Sequence, residues 1–435
     1  VPLRAKDHRH SGEQPVTVRA TGRLRNAGFT IVELMVALTG GLFISLAVFA
    51  LSRDSGRFYQ SEVRLANATV GGMLGFERLR TDIARAGFLI SPNASQDPHL
   101  CGPPSGNWPV ALQNLASIQV TTPLGSYPSL AANGRTPPAL VLAGSYASSD
   151  LFGAKSTMNG AQIVFQLGNS APGHAAQPAL LRLGNGTWPT NQAIASVFPV
   201  GGALRIVQKG FQYYGVITGS AGGTAPFVSI SNVPPLQVPG GPFHCGLVIP
   251  GSADSMATIN VVNFVRYQLG RPQTVTGIAN YQPMYAASSG DGGQAPGEAG
   301  RTELIRVEQD LAGADINGTE EVVAEYAVDF NLQITADTSL AGQQPSPKVI
   351  PAGAQFATYT GATYGNPTAR PQRIRSIRVR LGVRSREGDR SVGLANPSGG
   401  GLFRFDLGTG NSEAFARVRT FQADVFLHNQ ADISW

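Results

Sequence analysis

The sequence predicts an α+β fold: one long N-terminal helix, its first half transmembrane, packed on a large antiparallel β-rich globular head. Three observations carry this. Residues 29–51, FTIVELMVALTGGLFISLAVFAL, form an apolar run with a single charge, Glu33. Residues 52–90 keep a helical apolar period, with Leu79, Ile83 and Ala86 on one stripe and Leu65 and Met73 extending it. From residue 91 onward, short strand-like runs alternate with clusters of Gly, Pro, Ser and Asn.

Composition agrees with that division. The chain has 435 residues, enough for more than one ordinary domain, and 42% of them are hydrophobic, enough for a sizeable core. Only 14% are charged, well under the usual quarter, while 53 Gly and 30 Pro favour turns and short strands over a helical bundle. The net charge of +6 invites a nucleic-acid reading, but its distribution argues otherwise. Residues 1–28 carry six basic groups (Arg4, Lys6, Arg9, Arg19, Arg23, Arg25) and two acidic ones (Asp7, Glu13). That segment therefore accounts for +4 of the +6, leaving +2 on everything that follows.

The first element is that basic leader, 1–28. The second, 29–51, would span roughly 35 Å as a helix, enough to cross a bilayer. Arg23 and Arg25 just before it keep the N-terminus cytoplasmic by the positive-inside rule. A secretory signal would have a shorter apolar core with its small-residue cleavage site after it. Here the small residue, Gly28, precedes the apolar run, so a cut there removes the leader and keeps the membrane helix. Glu33 is costly at the lip of such a helix and suggests function. A cut after Gly28 would free an α-amino group on Phe29, which could neutralise the Glu33 carboxylate of an adjacent subunit. The alternative is a plain signal anchor with Glu33 reaching to the interface.

Gly28-Phe29-Thr30-Ile31-Val32-Glu33-Leu34 resembles the prepilin peptidase site of type IV pilins and type II secretion pseudopilins. The resemblance implies cleavage after Gly28, N-methylation of Phe29, and a part for Glu33 in methylation and subunit docking. Ala50 stands where many major pilins carry a Pro, which favours a minor pilin or pseudopilin.

The third element, 52–90, is the amphipathic half of the helix. Arg78, Arg80, Asp82 and Arg85 fall mostly off the apolar stripe. Gly71, Gly72 and Gly75 weaken the middle and are expected to kink it or divide it in two, and Gly87 is a natural C-cap. The run Leu79-Arg80-Thr81-Asp82-Ile83-Ala84-Arg85-Ala86-Gly87-Phe88 is similar to PilW-type minor pilins, and less closely to the large tip pseudopilin of type II secretion.

The fourth element, 91–435, is the head. Strands are expected at 139–142, 162–166, 204–207, 211–217, 258–268, 303–307, 322–334, 374–383 and 416–427, with long surface loops at 288–300 and 343–371. Glu303–Arg306, Val322–Leu332, Ile374–Arg384 and a final strand follow the PilW-like order. The resemblance is strong over 22–90, weaker over 258–435 and absent over 91–257.

Cys101 and Cys245 are the two cysteines, and both would be exported. A disulfide between them is favoured. It would close a loop of about 145 residues, for which chain entropy gives about 5 kcal/mol. His99 and His244 beside them leave a Cys₂His₂ zinc site conceivable, but without the usual ligand spacing. The stretch Gly313–Gly318 resembles part of a calcium loop, but Gly313 and Ala324 occupy the first and twelfth ligand positions, so a turn between strands is favoured. Arg378, Arg380 and Arg384 lie in the densest basic run after the leader. Alternating with Val379, Leu381 and Val383, they suggest a half-buried strand whose basic face meets solvent, an acidic neighbouring subunit or, as the sharper reading, DNA or another anionic ligand.

No G-x-S-x-G, P-loop or H-E-x-x-H motif occurs, so no enzyme activity, cofactor or metal is expected. The resemblance implies instead a minor pilin in a tip or priming complex, serving assembly or a tip adhesin. Its partners would be other minor pilins, the major pilin, prepilin peptidase and the inner membrane. A pseudopilin, or a pilin whose head binds nucleic acid or a surface, is the alternative.

Overall fold

The structure, a computed structural model, describes residues 29–435 except 103, 123–126, 160–161, 169–177, 232–246, 248–255, 271–300, 340–342, 352–353, 362–363, 367, 387, 389–400, 408–414 and 434. The leader and Gly28, Cys245, His244 and the expected loop at 288–300 lie outside the described residues.

One uninterrupted helix, α1, runs from Ile31 to Arg85. Compact units divide within it, the first ending at Gln60 and the second beginning at Ser61. In the first unit every described residue is exposed. In the second, Leu79, Ile83 and Ala86 are fully buried and Leu65 is buried, whereas Met73 of the expected stripe is exposed.

The glycines do not break the helix. A methyl group on Gly71 would meet nothing within 4 Å. At Gly72 it would fall 2.7 Å from Phe421 and Val383, and at Gly75 2.2 Å from the Val323 carbonyl oxygen. Gly72 and Gly75 are therefore where the strands come closest to the helix, and their missing side chains permit that approach. Gly87, at φ +77°, ends the helix and donates its N–H to Ala143 O at 2.9 Å.

Among the described residues fifteen strands follow in chain order: β1 Ile118–Thr121, β2 Ala139–Gly144, β3 Phe152–Asn159, β4 Gln162–Leu167, β5 Ala203–Gln208, β6 Phe211–Ala221, β7 Phe227–Ile230, β8 Met256–Gly270, β9 Glu303–Gln309, β10 Glu321–Ala324, β11 Ala327–Asp337, β12 Pro347–Ile350, β13 Ile374–Arg384, β14 Arg404–Asp406 and β15 Phe415–Phe426. All strand pairs among them are antiparallel.

The long strand β8 organises the first sheet. Its first half pairs with both β3 and β5, and the order β8-β3-β4-β7-β6-β5 returns to β8, closing a six-stranded barrel. Its second half pairs with β2 and β9, to which β1 and β10 are added. The region 152–262 thus has its own core, with Phe152, Phe165, Phe198, Leu204, Ile206 and Ile259 fully buried or nearly so.

The second sheet has the order β12-β11-β13-β15-β14. A larger core unites Phe76, Leu79 and Ile83 of α1 with Tyr267 and Leu304 of the first sheet and Phe330, Val379 and Leu381 of the second.

One loop expectation and one strand expectation are corrected. The segment 343–371 contains β12 and a helix, Ala354–Thr360. The single strand expected at 322–334 breaks at Tyr326, whose φ of +54° turns the chain between β10 and β11. The Glu303 carboxylate holds that turn by accepting the Tyr326 N–H at 2.7 Å.

Candidate functional site

At its N-terminal end α1 is closed by a reciprocal cap. Thr30 donates its backbone N–H and its hydroxyl to Glu33 Oε2, each at 3.1 Å, and the Glu33 N–H donates to Thr30 Oγ1 at 3.2 Å. This is a capping box, with the acid also set favourably against the helix dipole. Thr30-x-x-Glu33 carries that signal in the sequence. Phe29, just before the cap, is 84% exposed.

Beyond the cap, Thr39 returns its hydroxyl hydrogen to Met35 O and Val36 O, both at 3.0 Å, so that hydroxyl is satisfied within the helix. The segment is long and apolar enough to cross a membrane, and no residue of its most apolar stretch is buried. An isolated apolar surface of this kind needs lipid or protein around it.

At the other end of α1, the sequence placed Asp82 on the polar side. It is instead 1% exposed. Tyr267 of β8 donates its hydroxyl to Asp82 Oδ2 at 2.8 Å, and Arg306 of β9 donates Nε to the same oxygen at 3.0 Å. Tyr146 donates to the Asp82 carbonyl at 2.9 Å and lies under the Arg85 guanidinium, 5.4 Å from the ring centre. Burial, reinforced by the Asp82 charge, pushes the Tyr146 and Tyr267 phenols well above their ordinary range. Both stay neutral donors, locking the end of α1 to the first sheet. Asn429 adds donors to Ala84 O and Ala86 O at 3.2 and 3.1 Å, satisfying helix-terminal carbonyls.

The arginine strand does not form an open cationic face. Arg378 makes a bidentate pair with Asp424 of β15 at 2.8 and 3.0 Å. Arg380 donates Nε to the buried Asp329 at 2.8 Å and is mostly buried itself. Arg384 is fully buried, near the Tyr326 and Phe405 rings, and donates to Ser385 O and Arg386 O. Of the three, only Arg378 is substantially exposed, and an anionic ligand there would compete with Asp424. Alternation along β13 signalled one shared face; it could not reveal the carboxylates that neighbouring strands bring opposite.

Around Tyr326, Arg301 pairs with Glu303 and donates Nη1 to the Tyr326 hydroxyl at 3.0 Å, its guanidinium 4.2 Å from the ring centre. Burial pushes the Glu303 carboxyl up to about 7 despite the Arg301 charge beside it.

Among the described residues no cysteine is a free thiol, and no three His, Cys, Asp or Glu side chains gather as a metal-holding group. Cys245 lies outside those residues, so its pairing with Cys101 stays a proposal, as does any zinc set that includes it. Residues 313–318 form the connection between β9 and β10, in which Asp310 Oδ1 accepts the N–H groups of Ala312 and Ala314, each at 2.9 Å. No known protein family, curated protein or solved structure matches the chain.

Proposed function

We propose that this chain is a minor pilin of a type IV pilus, cut by prepilin peptidase after Gly28 and incorporated in a tip or priming complex. The observation that carries the reading is the character of α1. Its first half is apolar and wholly exposed, begins at a capped Glu33 five residues after Gly28, and continues without a break into a half whose stripe is buried in a β-rich body. Such a helix can rest in a bilayer before assembly and among like helices afterwards. Before assembly the protein would be an inner-membrane protein with a cytoplasmic N-terminus; afterwards it would sit at the pilus tip. Its partners would be other minor pilins, the major pilin and a possible tip adhesin. A head this large suits a site occupied once better than every position of a thin shaft.

The test is intact-mass and N-terminal analysis of the native membrane protein, with Gly28→Ala as control. A mature chain beginning at methylated Phe29, lost in Gly28→Ala, supports the reading. A retained leader unaffected by that substitution makes the protein signal-anchored and ends the filament account.

A further inference from the structure

On the second sheet, a cleft of 510 Å³ is lined by Thr335 of β11 and Ser376 of β13. Pro345, Pro347, Phe426, Ala431 and the Arg378–Asp424 pair also line it. Its volume falls in the roughly 300–1,000 Å³ range of ligand clefts. We propose that this cleft binds a neutral oligosaccharide.

The cleft is built in advance. Asp337 Oδ1 accepts the N–H groups of Ser346 and Ser339, at 2.9 and 3.0 Å, fixing Ser346 between the two prolines. Arg375 donates to Gln430 O at 2.8 Å and Ile433 O at 2.7 Å, fixing the segment that bears Ala431. Asp337 and Arg375 pair with each other at 3.4 Å, so one ion pair joins the groups that hold Ser346 and the segment of Ala431.

The ligand class follows from what the lining offers and withholds. Its charged groups are two arginines and two aspartates, each arginine paired with an aspartate, so the cleft has no net charge for an ion to answer. Thr335 and Ser376 belong to strands paired on both sides, and the edge strand beside them, β12, meets the cleft at Pro347, which has no N–H to offer an added peptide strand.

What remains is an aromatic ring, 62% exposed at Phe426, beside hydroxyls and a planar Arg–Asp pair whose partners are each 44% exposed. The pair uses Nε and Nη2, so Nη1 and the remaining carboxylate lone pairs can serve a ligand. Gln333 and Gln422, exposed on the neighbouring strands, stand opposite Arg378 and Arg380. A flat apolar ring for the C–H face of a sugar, next to bidentate groups for adjacent hydroxyls, is the chemistry of carbohydrate recognition.

The test is calorimetry on the full chain in a detergent without a sugar headgroup, titrated with chitohexaose, cellohexaose and maltohexaose, and with dextran sulfate as the anionic control. Saturable binding of at least one neutral sugar, insensitive to salt, is expected. Phe426→Ala should weaken it at least about tenfold, as loss of a central aromatic contact does, with the unfolding temperature unchanged. Arg378→Met combined with Asp424→Asn should also weaken it. The proposal is overturned by no binding of any of the three, by neutral-sugar binding that Phe426→Ala leaves intact, or by binding of dextran sulfate alone.

Discussion

Arg306 Nε stands 3.0 Å from Asp82 Oδ2, joining strand β9 to helix α1 in a setting where both side chains are nearly excluded from water. The other acids near Arg306, Glu308 and Glu321, are at 3.8 and 3.9 Å and much more exposed. Asp82→Ala would strand a buried guanidinium and remove the acceptor of Tyr267. The expected cost is about 3–5 kcal/mol in denaturant unfolding. Asp82→Leu combined with Arg306→Met removes both charges and should recover most of it. If the double variant is as unstable as the single one, the charge pairing is not what matters at this joint.

The two glycine environments on α1 predict opposite outcomes for one substitution. Gly71→Ala adds a methyl in open space to a helix interior, and should be neutral or stabilise by up to about 1 kcal/mol. Gly75→Ala drives the same methyl to 2.2 Å from the Val323 carbonyl, a backbone atom with no rotamer to change. It should destabilise by about 1–3 kcal/mol by displacing β10 from the helix. Thermal melts of the two variants check this, and equal effects would mean that the contact at Val323 is not close in solution.

Glu303 supplies a pH dependence with a definite sign. Its folded-state value of about 7 lies above its ordinary 4.5, so between those values the folded chain holds a proton that the unfolded chain has released. Stability from this group is therefore complete below about pH 4.5 and declines as pH rises to about 7, by on the order of 1–3 kcal/mol. Glu303→Gln, which mimics the protonated acid, should flatten that decline. Unfolding measured at pH 5 and pH 8 for both proteins gives the difference; an unchanged slope in the variant would assign the pH dependence elsewhere.

The helix and most long strands were legible because their signals are local. Leu79, Ile83 and Ala86 recur at helical spacing, and β13 alternates Val379, Leu381 and Val383 with polar neighbours. What escaped depends on partners distant in sequence. Asp82 looks like a surface residue until Tyr267 and Arg306 are brought to it. Tyr326 gives no sign of a turn, because its left-handed backbone is held by Glu303 rather than by a glycine or asparagine. The short strands β1, β7 and β12 lack the length to show a period. Barrel closure likewise rests on β8 pairing with β5 some fifty residues earlier, which no local pattern encodes.

Glu33 now has two candidate duties, and they can be separated. As a helix cap it needs only an acceptor at the third helical position, which glutamine also provides. As a docking group, opposite the free amine that cleavage would create on Phe29, it needs its charge. Thr30→Ala removes the cap's hydroxyl and should cost about 1 kcal/mol of local helix stability while leaving the carboxylate in place. Glu33→Gln keeps the cap and discards the charge. If docking is the duty, Thr30→Ala is recovered in sheared filaments at near wild-type level, whereas Glu33→Gln is processed but stays in the membrane fraction. Immunoblots of the two fractions, with mass analysis of the N-terminus, read this directly. Recovery of Glu33→Gln in filaments would leave Glu33 as a helix cap alone, and the amine–carboxylate account of assembly would have to be abandoned even if cleavage after Gly28 were proved.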